Sequence, residues 1–226
     1  MSDFENPFLF PASGIITFPD NLVGVALTSA PLTSAPLSEG QVGDFDLYVF
    51  TEGGIRVLAT NSEGTFSGNQ VSPTNLSRHI SLPGTITSLE QAVIFSTEKG
   101  VMMLSGGTVT ELSRFMNGMP FVLDSDVKSL IVNSDWSEVV SALDGDETFM
   151  AFMRNAKSAY DSNGSRLIFF NPSKSYQYVY MLETQTWHKI YTGVTDATIL
   201  NSYPDCLISY APSGTPKVMT FSTNLL

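Results

Sequence analysis

Apolar residues along this chain recur in short runs of four to seven, many alternating with polar neighbours and nearly all closed by glycine, proline, asparagine or serine. That texture predicts strands and tight turns rather than long helices. Gly14 to Phe18 and Leu22 to Leu27 suit one or two short strands around Pro19-Asp20-Asn21. Thr28-Ser-Ala-Pro-Leu32 is then duplicated as Thr33-Ser-Ala-Pro-Leu37. Its prolines remove ladder donors and favour extended backbone, which predicts a proline-containing loop over 28–37.

From Leu47 the runs become β-branched and aromatic. Leu47 to Thr51 and Ile55 to Leu58 flank Gly53-Gly54, a hairpin whose paired glycines supply the positive φ that a tight turn needs. The next hairpin nearly copies it: Thr51-Glu-Gly-Gly-Ile-Arg-Val-Leu58 aligns without gaps on Thr97-Glu-Lys-Gly-Val-Met-Met-Leu104. A period of roughly 40–50 residues built from hairpin units is the spacing of β-propeller blades. The logic returns downstream in looser form. Arg166–Phe170, Tyr176–Leu182 and Glu183–Ile190 read as strand, turn, strand, turn, strand, followed by Cys206–Tyr210 and Lys217–Phe221. Trp187 stands where a blade's indole fills the gap to the adjacent sheet.

Residues 124–158 differ in texture. Asp135-Trp-Ser-Glu138 can cap a helix with Trp136, Val139, Val140 and Leu143 at helical spacing, and Phe149, Met150, Phe152, Met153 and Ala156 suit a further turn or two. We read this as a helical insertion on a β scaffold, the kind of segment that often carries an interface, with Trp136 as its candidate contact residue. The fold class expected is all-β, with complete or partial propeller-like blades and a short helical insertion, in one domain over 1–226.

Composition narrows the function classes. The chain has 226 residues, enough to bury a core without staples, and one cysteine, Cys206, which allows no internal disulfide. Beside Leu207 and Ile208, Cys206 reads as a small buried apolar residue. Charged residues are only 15% of the chain, and 11 basic against 22 acidic side chains give a net charge of −11. The average field therefore repels nucleic acid and anionic membranes, so direct nucleic-acid contact is not expected. The N-terminus has no basic region followed by an apolar run, and no apolar stretch reaches membrane-spanning length.

Candidate chemistry is sparse. His79 and His188 fall in different units with no second ligand at metal-binding spacing. Asp144-Gly-Asp-Glu147 and Asp161-Ser-Asn-Gly164 offer oxygen ligands, but neither has the downstream bidentate glutamate of a calcium loop. Asn163-Gly164 reads instead as a type I′ hairpin turn between Tyr160 and Arg166. Nucleophile elbow and phosphate-loop motifs are absent. A sialidase-like site needs clustered arginines for a substrate carboxylate, and the five here, Arg56, Arg78, Arg114, Arg154 and Arg166, are scattered; Ser62-Glu-Gly-Thr-Phe66 lacks the aspartate and tryptophan of that enzyme class's blade turn. No catalytic residue, cofactor or metal is assigned. Tyr176, Tyr178 and Tyr180 alternate on one strand face, a stripe that suits either inter-blade packing or a carbohydrate or protein contact, with packing the favoured reading.

Several of these stretches resemble the β-propeller region of tailed-phage neck and tail proteins, the group that includes packaged-DNA stabilisation and nozzle or muzzle components, found in phages and prophages of gut bacteria. The residues that carry the resemblance are Asn6-Pro-Phe-Leu-Phe-Pro11, Leu37-Ser-Glu-Gly-Gln41, Leu47 to Ile55, Ser77-Arg-His79 and Ala92 to Gly106. Further on they are Ala159-Tyr-Asp161, Arg166 to Pro172, and Tyr178-Val-Tyr180 before Trp187. The resemblance implies a non-enzymatic virion structural or adaptor protein, present in the bacterial cytoplasm during assembly and then in the virion, with other phage structural proteins or further copies of itself as partners. Proteins of that group are usually longer, and three to four blade units are recognisable here, which implies either a fragment of a longer chain or a partial propeller that closes with a partner; the last strand, Lys217 to Phe221, would otherwise be an exposed unpaired edge and an aggregation liability. The alternative from another class is a glycan- or receptor-binding propeller module, which requires exposed aromatics on a concave face.

Overall fold

The computed structural model describes residues 15–28, 46–58, 79–89, 91–114, 116, 148–191, 193–200, 203–210, 215 and 217–220. They form four antiparallel sheets in chain order. The first holds β1 (Leu22–Thr28), β2 (Asp46–Thr51) and β3 (Gly54–Leu58). The second holds β4 (Thr87–Ser88), β5 (Val93–Thr97), β6 (Gly100–Ser105) and β7 (Thr108–Glu111). A short helix, α1 (Phe149–Met153), precedes the third: β8 (Lys157–Asp161), β9 (Arg166–Phe170), β10 (Gln177–Met181) and β11 (Thr186–Ile190). The fourth holds β12 (Val194–Leu200), β13 (Tyr203–Tyr210) and β14 (Lys217–Thr220). Each sheet is a meander, its strands lying side by side in sequence order.

The duplicated hairpin keeps its register. Thr51 pairs with Gly54 and Thr97 with Gly100, and in both copies the threonine hydroxyl donates to the glycine carbonyl, at 2.9 and 3.2 Å. The glycine that closes each turn has positive φ, 128° at Gly54 and 145° at Gly100. Lys99 stands where Gly53 stands in the first copy, so the turn requires only one glycine. Gly53 answers a different demand: a Cβ there would run into the Asp20 carboxylate, which is paired with Arg56 at 3.2 Å.

The repeat also sets how the sheets meet. One core cluster joins Tyr48, Phe50, Ile55 and Val57 of the first sheet to Val93, Phe95, Met102 and Leu104 of the second. A second joins Ile94 and Val101 of the second sheet to Leu167 and Phe169 of the third. By the hairpin alignment, Ile94 and Val101 are the counterparts of Tyr48 and Ile55. Each sheet thus turns the same face toward its successor and receives its predecessor on the other. A third cluster continues the series, with Ile168, Phe170 and Val179 against Val194, Cys206 and Ile208 of the fourth sheet.

The first strands β1, β4, β8 and β12 are neighbours in succession, so the sheets approach one another through their leading edges. Side chains stitch those edges: the Thr87 and Ser158 hydroxyls share a hydrogen bond of 2.5 Å, and Lys157 pairs with Asp196 at 3.4 Å. Meander sheets stacked head to tail about their first strands are propeller-like blades.

Two local expectations are corrected. The 162–165 loop is not a type I′ turn: neither Asn163 nor Gly164 has positive φ, Ser165 does at 46°, and its amide donates to the Ser162 carbonyl at 3.3 Å. The helical segment ends before 158, because Lys157 and Ser158 already belong to β8; α1 itself covers only Phe149–Met153, capped by the Thr148 hydroxyl, which accepts from the Ala151 amide at 3.1 Å. Residues 29–37 of the proline-containing loop, residues 124–147 with Trp136, and Asp144 to Glu147 lie outside the described residues.

Candidate functional site

The tyrosine stripe sits inside the molecule. Tyr176, Tyr178 and Tyr180 are all buried against α1 and the second sheet. Tyr176 stacks on Phe152 at 5.2 Å between centroids, and the Lys189 ammonium lies 4.0 Å from its ring centre. Tyr178 meets Phe149 and Phe152 edge-on at 5.0 and 4.9 Å. Tyr180 packs on Trp187 at 4.9 Å, and burial raises its phenol pKa. As candidate interface residues these three are therefore corrected: their alternation packs one blade on the next, because period-2 aromatics on a sheet face covered by a neighbour are withdrawn from solvent.

Trp187 bridges blades as its position predicts. Its indole N–H donates to the Leu112 carbonyl, just past β7, at 3.0 Å, while its ring lies 5.2 Å from Phe149 and 5.5 Å from Phe169. Next to it the second and third sheets diverge into a cleft of about 320 Å³. Met103, Leu112, Met116, Tyr180, Leu182 and Trp187 make its apolar wall, and Thr110, Glu111 and Gln185 supply polar groups.

A buried ion pair lies on the other side of the third sheet. Arg166 Nε donates to Asp161 Oδ2 at 2.7 Å, with side-chain exposures of 1% and 2%. The two residues face each other as the last pair of the β8–β9 hairpin. Gly164 makes room for them: a Cβ there would sit 2.6 Å from Arg166 Nε and 2.8 Å from Asp161 Oδ2. The Asp161 carboxylate is thus engaged by a guanidinium within its own hairpin rather than presented on a loop for calcium. Cys206, fully buried across the junction with the fourth sheet, has its thiol pKa pushed up to about 11, first by desolvation and then by the Asp161 charge, against a lowering from Arg166.

The histidines stay apart. His188 is exposed and shares a 3.0 Å hydrogen bond with the Thr186 hydroxyl, and His79 packs edge-on against Phe95 at 6.2 Å. Among the described residues no three His, Cys, Asp or Glu side chains cluster in a way that could hold a metal ion. No described helix is long and apolar enough to cross a membrane.

Apolar side chains are also exposed on β1, which the sequence did not mark out, and on β14, the strand expected to form an unpaired edge. On β1, Leu22, Val25 and Leu27 are 60%, 56% and 51% exposed, and on β14 Val218 and Met219 are 73% and 45% exposed.

Fold and geometry together define an all-β protein of propeller-like blades. No protein-family model and no curated protein matches the chain. Among solved structures, similarity is found to one described as "AfRom2 CNH domain", at 9% identity and a TM-score of 0.32, over 79% of this chain and 51% of that one. This chain spans about half the length of that structure's chain.

Proposed function

We propose that this protein is a non-enzymatic structural or adaptor component of a tailed-phage neck or tail, acting through protein surfaces during assembly. The observation that carries the reading is the stack of blades with apolar aliphatic side chains exposed at both ends, on β1 and on β14. Exposed apolar strands of that kind are aggregation liabilities unless a protein partner covers them. The blade hairpins that support the reading are also the stretches that resemble phage neck and tail propellers. The acidic net charge of −11 favours protein over nucleic-acid partners.

The test is immunogold labelling of phage particles purified from the bacterium that carries the gene. Label at the neck or tail supports the assignment, and a protein found only free in the lysate sinks it. A second reading, a glycan-binding module, is favoured by one feature, the cleft that brings Trp187 next to Glu111 and Gln185. Its signature is binding on a glycan array that Trp187→Ala or Gln185→Ala abolishes.

A further inference from the structure

We infer that Asn163-Gly164, in the turn between β8 and β9, is a site of spontaneous deamidation, and that its isoaspartyl product loosens the hairpin end that holds the Arg166–Asp161 pair. The substrate is the chain itself and the co-reactant is water.

Three features meet at this dipeptide. Asn163 is exposed, so water reaches its carboxamide. Gly164 has no Cβ to shield its backbone nitrogen from the carboxamide carbon of the preceding residue. The turn is closed by the Ser165 amide, which donates to the Ser162 carbonyl at 3.3 Å, so the Gly164 nitrogen is not the one that this hydrogen bond holds in place. Asparagine is among the thermally labile side chains, and a following glycine offers the least steric resistance to its reaction.

The Gly164 nitrogen gives up its proton to water and attacks Asn163 Cγ. The N–Cγ bond forms, the Cγ–Nδ2 bond breaks, and the nitrogen leaves as ammonia, closing a cyclic imide. Water then adds to one of the imide carbonyls. Opening at Cγ gives aspartate on the original backbone, whereas opening at the backbone carbonyl of residue 163 gives isoaspartate, in which the chain runs on through Cβ and Cγ. Nothing is oxidised or reduced: a carboxamide and water become a carboxylate and ammonia.

The isoaspartyl product adds an atom to the main chain of a turn that has no slack. The β8–β9 pairing runs up to Asp161 and Arg166, immediately outside the turn, and the Ser165 carbonyl accepts from the Leu182 amide at 2.9 Å. Gly164 lies directly on the ion pair, since a Cβ there would be 2.6 Å from Arg166 Nε and 2.8 Å from Asp161 Oδ2. A longer turn therefore either presses residue 164 into the guanidinium or draws Arg166 away from its carboxylate. The aspartyl product carries the same new charge at an exposed position without lengthening the turn.

The test incubates the full chain in neutral buffer at physiological temperature, beside the same chain unfolded in urea, and follows the tryptic peptide Ser158–Arg166 by liquid chromatography and mass spectrometry. Asn163 is the only side-chain amide in that peptide, so any mass gain from amide to acid reports on it alone. The folded chain is expected to yield both acidic products, the isoaspartyl one accepting a methyl group from isoaspartate methyltransferase, at a rate within about tenfold of the unfolded chain, the factor that restraining one residue's backbone imposes. Asn163→Gln is expected to yield neither. Separated by anion exchange, the isoaspartyl form is expected to melt about 2–4 °C below the fresh protein, the shift that a small loss of stability produces in a chain of this size, while Asn163→Asp melts with the fresh protein. Conversion in urea with none in the folded chain overturns the assignment of the site. An isoaspartyl form that melts with the fresh protein overturns its link to the ion pair.

Discussion

Removing one partner of the Arg166–Asp161 pair is expected to destabilise the protein more than any other single polar substitution among the described residues. The guanidinium and carboxylate are 2.7 Å apart at 1% and 2% side-chain exposure, so neither charge can be returned to water when the other is deleted. At an effective dielectric of 20, unit charges about 4 Å apart attract by roughly 4 kcal/mol. Breaking a buried pair by truncating one member typically costs about 3–5 kcal/mol. For a chain of this size each kcal/mol shifts Tm by roughly 2–4 °C, so Arg166→Met is expected to lower it by about 6–20 °C. Asp161→Leu is expected to fall in the same range. The double variant removes both charges at once and is expected to recover most of the loss, since well-packed apolar replacements of buried pairs are often neutral. Circular-dichroism melts and urea titrations of the four proteins form a double-mutant cycle. Single variants that cost less than about 1 kcal/mol, or a double variant no better than the sum of the singles, would refute the view that this pair is a coupled, desolvated unit.

Other expectations follow from the same geometry. Cys206 has a folded pKa of about 11 against an ordinary value of 9.0, so the folded state holds its proton more tightly. Its contribution is complete below pH 9 and is lost as pH rises toward 11, on the order of 2–3 kcal/mol; urea titrations across that range should show the loss in the wild type and not in Cys206→Ala. Gly100→Ala forces an L-residue to φ 145° and is expected to cost about 1–3 kcal/mol in urea unfolding, whereas Lys99→Ala, beside it in the turn, should cost less than about 0.5 kcal/mol. Trp187→Phe keeps an aromatic ring against Phe149 and Phe169 but removes the donor to the Leu112 carbonyl, for an expected loss of about 1–2 kcal/mol measured in the same way.

The blade architecture was legible because the hairpins announce themselves locally. Thr-Glu-x-Gly fixes where the turn falls in the first two hairpins, and period-2 alternation then assigns the strand side chains to a face. Trp187 was legible for a similar reason, since a bulky indole late in a strand series has few places to go. The tyrosine stripe showed which residues share a face and left open what covers it; α1 and the second sheet are distant in sequence, and only the fold brings Phe149 and Phe152 onto Tyr178. Asn163-Gly164 misled because the dipeptide's preference for positive φ was overridden by the ion pair it flanks. Gly164 is small to admit Arg166, and the left-handed residue is Ser165. The pair itself was hidden in plain view, as an aspartate ending one strand and an arginine opening the next, because charge at a hairpin's end ordinarily marks a solvated turn. The exposed edge at β14 was legible in the repeat, whereas the exposure of β1 was not, since an apolar strand reads the same whether or not a neighbour covers it.

The strict agreement between chain order and stacking order has a consequence for how the molecule comes apart. The three core clusters each join consecutive sheets, so stability is shared out between neighbours along a line, as in repeat proteins, rather than held in one central core. Among the described clusters, the second and third sheets pack against a neighbouring sheet on both faces and the first and fourth against one, though Val49 and Leu58 on the other face of the first sheet are buried as well. Amide exchange should therefore be graded, slowest in β5 and β9 and fastest in β1 and β14, with the ends opening while the middle holds. A partner that covered β1 and β14 would convert the least protected strands into interior ones, so that assembly and rigidity arrive in the same step.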